Sequence, residues 1–172
     1  MGKGFAAERL TAFENVRAAD TLSEKYLSRG RRMKLIANTF VLVSTDCPVA
    51  KAAVPKSPAG KLAVHALQYE LLTSRPYELT LEDLIFETYW RRAGLSAEEA
   101  AGRIHEIRAE LFSVPHACMR ASTLTKRYGW GAHYDEEGRL ALYAMESAEY
   151  AQFAAGKTTG VKIVCAMRSK KA

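Results

Sequence analysis

The stretch from His116 to Asp135, HACMRASTLTKRYGWGAHYD, holds the densest set of residues in this chain that could do chemistry. It combines a thiol, two imidazoles, basic side chains, hydroxyls, aromatic rings and two glycines. It matches no catalytic signature. The stretch therefore predicts where a site lies, and three kinds of chemistry are compatible with it.

Anion binding is the first hypothesis. Ser122 and Thr123 precede Lys126 and Arg127, so the hydroxyls and free N–H groups of a helical turn could receive a phosphate or carboxylate. Arg120 would add a planar guanidinium that donates two parallel hydrogen bonds. The GxxxxGK[ST] spacing of a P-loop is missing. The alternative is a capped turn with solvated basic residues, because Ser and Thr commonly cap helices.

A cysteine nucleophile is the second hypothesis. Cys118 lies two positions after His116, and Asp135 two positions after His133, so on strands each pair would point to one face. Together they would supply the thiol, base and carboxylate that such a nucleophile needs. Cys47 is the other candidate thiol. The competing interpretation is structural, since buried cysteines that serve as small hydrophobic residues outnumber reactive ones.

Nucleic-acid binding is the third hypothesis. Tyr128, Trp130 and Tyr134 alternate with basic residues, and exposed rings in such an arrangement can stack on bases. The same spacing equally suits one face of a strand that packs into the core. Gly129 and Gly131 flank Trp130, which indicates a sharp turn or a close approach by a ligand or another segment.

The predicted ligand-binding residues come from these hypotheses. Glu70 is included as a partner for Arg120 or Arg168, although an exposed glutamate on a helix is the alternative. We expect Arg120, Trp130 and His133 to lie close to Asp46, Cys47 and Glu70. No catalytic residue is assigned, the cofactor is unknown, and the absence of CxxC and HxxxH pairs predicts no metal site. The full set is Arg120, Ser122, Lys126, Arg127, Trp130, His133, Glu70 and Cys118.

Size and composition are those of a small globular protein. The chain has 172 residues, of which 48% are hydrophobic and 26% charged, enough for one domain with a substantial core. Its net charge of +6 comes largely from one cluster between Arg29 and Lys34 and another between Arg168 and Lys171. No apolar run reaches the length of about 18 residues that a membrane span needs. Three widely spaced cysteines favour a reducing compartment, so we expect a cytoplasmic protein with no membrane partner.

Apolar spacing and capping residues predict the helices. They cover residues 5–28, residues 61–73, a segment that begins at Thr80 and stops at Gly94, and one from Ser96 to Pro115. The alternation of Leu67, Tyr69 and Leu71 would also suit a strand in the second of these segments. Capping boxes, Thr80 with Asp83 and Ser96 with Glu99, mark two of the starts. Residues 80–113 therefore read as a helical hairpin.

Strands are predicted around these helices. Residues 35–44 carry β-branched and aromatic side chains, and a loop of about a dozen residues follows, either a binding segment or solvated coil. Residues 131–135 and 139–145 flank a turn with Gly138, Ser147 caps a short helix, and residues 161–167 form a last strand. We predict an α+β fold with a small mixed or antiparallel sheet of about four strands in a single domain, residues 33–172. Residues 1–32 would be an N-terminal helical extension, either packed on the domain or used for homo-oligomerisation.

The chain resembles a family of small bacterial proteins classed only as a domain of unknown function. The most specific part is RASTLTKRYGWGAHYDEEG, and TF at Thr39, DCP at Asp46, QYE at Gln68 and PY at Pro76 agree with it. The resemblance covers about residues 35–171 and brings no assigned reaction. It implies that the DCP, QYE and His116–Asp135 segments converge.

We therefore expect a protein that binds an anionic small molecule at a basic and aromatic pocket. A cysteine-dependent enzyme and a nucleic-acid or protein interaction module are the alternatives.

Overall fold

A computed structural model describes residues 33–58 and 61–169. These divide into two compact units, one with Met33 and residues 89–116 and the other with residues 34–58, 61–88 and 117–169. The predicted helical extension, residues 1–32, lies outside the described residues. The single domain over residues 33–172 stays a prediction.

The predicted α+β fold is confirmed, since the larger unit contains a four-stranded mixed sheet. Its strands are β1 (Thr39–Leu42), β2 (Trp130–Tyr134), β3 (Leu140–Ala144) and β4 (Lys162–Cys165). They lie in the order β3-β2-β1-β4. β2 is antiparallel to both of its neighbours, whereas β1 and β4 are parallel.

Helices cover the sheet on both sides. On one side, α1 (Val64–Ser74) contacts β3 and the short α5 (Thr123–Arg127) contacts β2. The strand residues there include Val41, Ala132 and Tyr134, each at most 1% exposed. On the other side, Phe153 of α6 (Ala148–Ala154) stacks on Phe40 with ring centroids 4.3 Å apart.

The predicted hairpin between β2 and β3 is confirmed, and its turn is determined by local residues. Gly138 has φ +77°, and a Cβ there would lie 2.9 Å from the carbonyl oxygen of Ile36. The Asp135 carboxylate accepts hydrogen bonds from the backbone N–H groups of Glu137 and Arg139 at 3.1 and 2.7 Å. It also forms an ion pair with the Arg139 side chain at 2.8 Å.

The first strand is shorter than predicted. Residues 35–44 were expected to be extended, but β1 begins at Thr39 because Asn38 has φ 45°. Asn38 still joins the sheet through its backbone, since its N–H donates to Asp135 and its carbonyl accepts from Lys162.

Two helices near residue 100 replace one that the sequence predicted. After α2 (Leu81–Arg92), α3 (Ala97–Gly102) and α4 (Ile104–Leu111) are separated at Arg103, whose φ and ψ are −117° and 17°. The preceding Gly102 is a weak helix former, which accounts for the break. Both predicted capping boxes are confirmed: Thr80 with Asp83, and Ser96 with Glu99. Within the described ranges, no helix is long and apolar enough to cross a membrane.

Candidate anion-binding cleft

An open cleft lies where the loop after β1, the first turn of α1 and helix α5 meet. Its lining residues are Pro48, His65, Thr123, Arg127 and Tyr128, and its volume is about 370 Å³. Small-molecule sites span roughly 300–1,000 Å³. The cleft therefore has room for a small ligand.

Ring stacking holds the His65 side of the cleft in place. His65 and Tyr69 are four positions apart on α1 and so lie on one side of it. His65 stacks on Tyr128 at 5.2 Å, and Tyr69 contacts Trp130 at 5.0 Å between ring centroids. The Tyr128 hydroxyl also lies 3.4 Å from Nε2 of His65. The two ring pairs fix α1 against the chain that leads into β2.

The loop after β1 is anchored to the same chain. Ala53 donates its N–H to the carbonyl of Tyr128 and accepts from the Trp130 indole, both at 2.9 Å. Gly129 has φ +73°, and a Cβ there would lie 3.0 Å from Cα of Ala52. Between Tyr128 and Trp130, only glycine lets the loop approach this closely. The loop is therefore fixed near residue 53, and its earlier part brings Pro48 to the cleft.

Helix α5 is anchored by a buried hydrogen bond of Thr125 and is capped at its start by Ser122. Thr125 is 0% exposed, and its hydroxyl donates to the carbonyl of Met119 at 2.6 Å. The Ser122 hydroxyl accepts the N–H of Leu124 at 3.2 Å, which confirms the predicted helix cap. The Ser122 hydroxyl therefore already has a partner within the chain. A contact between this hydroxyl and a ligand stays a prediction.

The cleft is cationic. Arg127 is exposed, and in the described part of the chain it forms no ion pair or hydrogen bond. The Thr123 hydroxyl likewise has no hydrogen-bond partner among the described residues. None of the lining residues carries a carboxylate. A guanidinium and a hydroxyl thus remain available for an anion.

His133, predicted to share a pocket with Trp130, lies on the opposite face of the sheet. The two residues are three positions apart on β2, and strand side chains alternate between faces. His133 contacts Phe153 and Tyr77, whereas Trp130 contacts Tyr69. The expectation that Arg120, Trp130 and His133 line one pocket is therefore wrong, because Trp130 and His133 point to opposite faces of the sheet.

His133 belongs to a hydrogen-bonded chain of its own. The Tyr77 hydroxyl lies 2.8 Å from Nδ1 of His133 and 2.7 Å from the Tyr143 hydroxyl. Nε2 of His133 is buried and has no hydrogen-bond partner within the described ranges. Burial lowers the pKa of His133, and the charge of Asp135 only partly opposes this shift. The geometry favours a neutral imidazole.

Tyr77 holds this chain in place from a rare backbone conformation. Its φ is 59°, a value that non-glycine residues seldom adopt. Its N–H donates to the carbonyl of Leu140 at 2.8 Å. Burial, followed by the hydrogen bond with Tyr143, raises the pKa of Tyr77. The strained backbone thus directs the phenol toward His133.

The remaining predicted residues do not meet at the cleft. Arg120 donates from Nε to the carbonyl of Cys165 at 3.0 Å, beside the end of β4. Glu70 is exposed on α1 and pairs with no described arginine. Cys118 is half-buried and forms no hydrogen bond with His133, so this one of the two proposed thiol–imidazole pairs is not made. Lys126 lies on α5 next to Arg127.

Two contacts join the segments that the resemblance implied would converge. Pro48 lines the cleft with Arg127 and Tyr128, and Tyr69 contacts Trp130. His65 was not among the predicted residues, and Thr123 was named only as a hydroxyl beside Ser122 in the anion-binding hypothesis. The only sequence signal for His65 was its helical spacing from Tyr69.

The fold and cleft define a small α+β protein with a cationic surface site. The chain belongs to DUF6157, a family of unknown function, whose model matches residues 32–172. No curated protein and no solved structure matches the chain.

Proposed function

We propose that the protein binds a small compound with a phosphate or carboxylate group in the cleft between the loop after β1, α1 and α5. The observation that carries the proposal is the exposed Arg127 guanidinium, which lines the cleft and has no carboxylate partner among the described residues. An arginine without a described partner, beside the Thr123 hydroxyl, suits the planar, charged geometry of these anions.

Arg127, Thr123, His65 and Tyr128 each have a role in this proposal. Arg127 neutralises the charge of the ligand, and the Thr123 hydroxyl donates a hydrogen bond to it. His65 and Tyr128 form a stacked wall with polar edges. Because the site is open to solvent, salt screens the attraction, and the affinity should fall as ionic strength rises.

Isothermal titration calorimetry at low ionic strength tests the proposal, with inorganic phosphate, pyrophosphate and citrate as probes. At least one probe should bind, and Arg127→Gln should weaken its affinity about tenfold or more, because hydrogen bonds to charged groups contribute about 1.5–3 kcal/mol. Arg168→Gln is the matched control, since it removes an exposed arginine that does not line the cleft. Absence of binding by all three probes, or equal losses in both variants, would contradict the proposal.

Location and assembly are separate proposals. The odd number of cysteines supports a reducing, cytoplasmic location, which fractionation of the producing cell tests. Homo-oligomerisation through residues 1–32 is tested by native mass spectrometry of the full chain and of a chain that starts at Met33. If the two chains form particles with the same number of subunits, oligomerisation through residues 1–32 is excluded.

A further inference from the structure

His65 is the lining residue of the cleft whose type can change its charge near neutral pH. Histidine side chains ordinarily titrate between pH 5 and pH 8. Proline, threonine, arginine and tyrosine, which are the other residue types that line the cleft, ordinarily do not. His65 is half-buried, so solvent still reaches it. Among the lining residues, a change of charge with pH therefore comes from His65.

The imidazole of His65 has hydrogen-bonding capacity left for a ligand. Its Nε2 lies 3.4 Å from the Tyr128 hydroxyl, and its Nδ1 has no hydrogen-bond partner in the described part of the chain. A protonated imidazole carries a hydrogen on both nitrogens. Nε2 can then donate to the phenol oxygen of Tyr128, and Nδ1 can donate to an anion.

The groups that face His65 from the neighbouring elements add positive charge and no carboxylate. Tyr128 stacks on the imidazole from the end of α5, and Arg127 directly precedes Tyr128 and lines the same cleft. On α1 itself, Tyr69 lies one turn further on and contacts Trp130. An anion that contacts Arg127 and His65 would therefore be the counter-charge of both.

Two carboxylates lie on segments next to the cleft, and both are bonded elsewhere. Asp46, two positions before Pro48, accepts the N–H of Ser169 at 2.8 Å. Glu146 accepts the N–H of Ala52 at 2.9 Å. Neither carboxylate lines the cleft. The negative charge that would balance a protonated His65 is therefore left to a ligand.

We infer that the cleft takes a doubly charged anion, such as a phosphate monoester or a dicarboxylate, and that His65 binds it in the protonated form together with Arg127. This inference rests on the proposed function. Binding then takes up a proton from solvent, which adds to the lone pair of the imidazole, so that two positive charges face the two negative charges of the ligand. A singly charged anion needs Arg127 alone.

Calorimetric titration of the full chain with sulfate tests the inference, because sulfate keeps both of its charges throughout the pH range used. Titrations at pH 7 and pH 9 are each run in two buffers of different protonation enthalpy, and the difference in heat gives the number of protons taken up. A fraction of a proton should be taken up at pH 7 and close to none at pH 9. Affinity for sulfate should rise about fivefold from pH 9 to pH 5.5, and affinity for the singly charged methanesulfonate should rise less.

Variants of His65 assign the proton to this side chain. His65→Phe keeps an aromatic ring against Tyr128 but cannot be protonated, so the proton uptake and the rise in affinity should both disappear. His65→Gln makes the same comparison with a polar side chain that does not titrate. His105→Gln is the control, because His105 is exposed on α4 and lies outside the cleft, and this variant should retain both effects.

The outcomes separate this inference from the proposed function. If an anion binds through Arg127 without proton uptake at pH 7, or if the His65 variants retain the uptake, the role of His65 is excluded and the anion site stands. The same holds if inorganic phosphate binds and sulfate does not, because Arg127, Thr123 and a protonated His65 all donate hydrogen bonds and would accept either anion. If sulfate, inorganic phosphate, pyrophosphate and citrate all fail to bind, the proposed function itself fails.

Discussion

The polar side chains on the two faces of the sheet differ in whether they are bonded within the protein or exposed to solvent. Around His133, the hydroxyls of Tyr77 and Tyr143 are used within the protein, and the aromatic rings of Phe40 and Phe153 close over them. At the cleft, the guanidinium of Arg127 is directed to solvent. Buried polar groups act on stability, whereas an exposed polar group without a partner is available to a ligand. Substitutions near His133 should therefore change the free energy of unfolding, and substitutions in the cleft should change binding.

The largest effect is expected for Phe40→Ala. Phe40 is 0% exposed, and its replacement leaves a cavity beneath Phe153, so the free energy of unfolding should fall by about 3–5 kcal/mol. Urea unfolding measures this loss. Leu35→Ala, at a leucine that is 65% exposed, should change stability by about 0.5 kcal/mol or less. Similar losses in the two variants would show that Phe40 is not part of a tightly packed face.

The next effect concerns the chain that supports the cleft. In Gly129→Ala the new methyl group would lie 2.9 Å from Sδ of Met145 and 3.0 Å from Cα of Ala52, in addition to the strain of φ +73°. Overpacking and a left-handed alanine together should lower the free energy of unfolding by about 2–4 kcal/mol. Anion affinity should fall as well, because the anchored loop carries Pro48 to the cleft.

Gly156→Ala is the matched control for this substitution. Gly156 has φ +66°, but nothing lies within 4 Å of a Cβ at that position. Only the backbone strain of about 1–2 kcal/mol should appear, and anion affinity should not change. Equal effects of the two substitutions would show that the close contact between Gly129 and Ala52 contributes nothing.

Sequence alone predicted those elements whose determinants are local. The capping box of Ser96 and Glu99 and the turn formed by Asp135 and Gly138 depend on residues at most four positions apart, and both are present. The break at Arg103 was missed because the capping box and apolar spacing indicated a single helix. Local rules do not weigh one glycine against tertiary packing.

The site required information that the sequence does not carry. His65 reaches the cleft by stacking on Tyr128, which lies 63 positions away, and no local pattern relates the two. The separation of Trp130 from His133 was predictable in principle. Residues an odd number of positions apart on a strand face opposite ways, but the predicted strand began after Trp130. Because the predicted strand began one residue too late, Trp130 and His133 were assigned to one pocket although they lie on opposite faces.

The pH dependence of stability sharpens the contrast between the faces. Burial lowers the pKa of His133 below its ordinary value of 6.5, so in mildly acidic solution the unfolded chain binds a proton that the folded protein does not. This contribution to stability is complete above about pH 6.5 and decreases as the pH falls toward the lowered pKa. Urea unfolding between pH 8 and pH 5 should show the decrease.

His133→Gln should flatten this acid-dependent loss, since the titrating group is removed. His105→Gln changes an exposed histidine on α4 and should retain it. A slope that is the same in both variants would assign the acid sensitivity to other groups and would leave His133 without its inferred neutral state.

The smallest effect on stability is expected for Arg127→Gln, and it completes the comparison. An exposed side chain without a partner among the described residues should change the free energy of unfolding by about 0.5 kcal/mol or less. The same variant should lose most of its affinity for the phosphate or citrate probe, whereas Phe40→Ala, measured where it is still folded, should retain that affinity. Stability and affinity therefore change independently if the two faces have the separate roles inferred for them. If Arg127→Gln lowers the free energy of unfolding by about 1 kcal/mol or more, the Arg127 guanidinium stabilises the fold and is not reserved for a ligand.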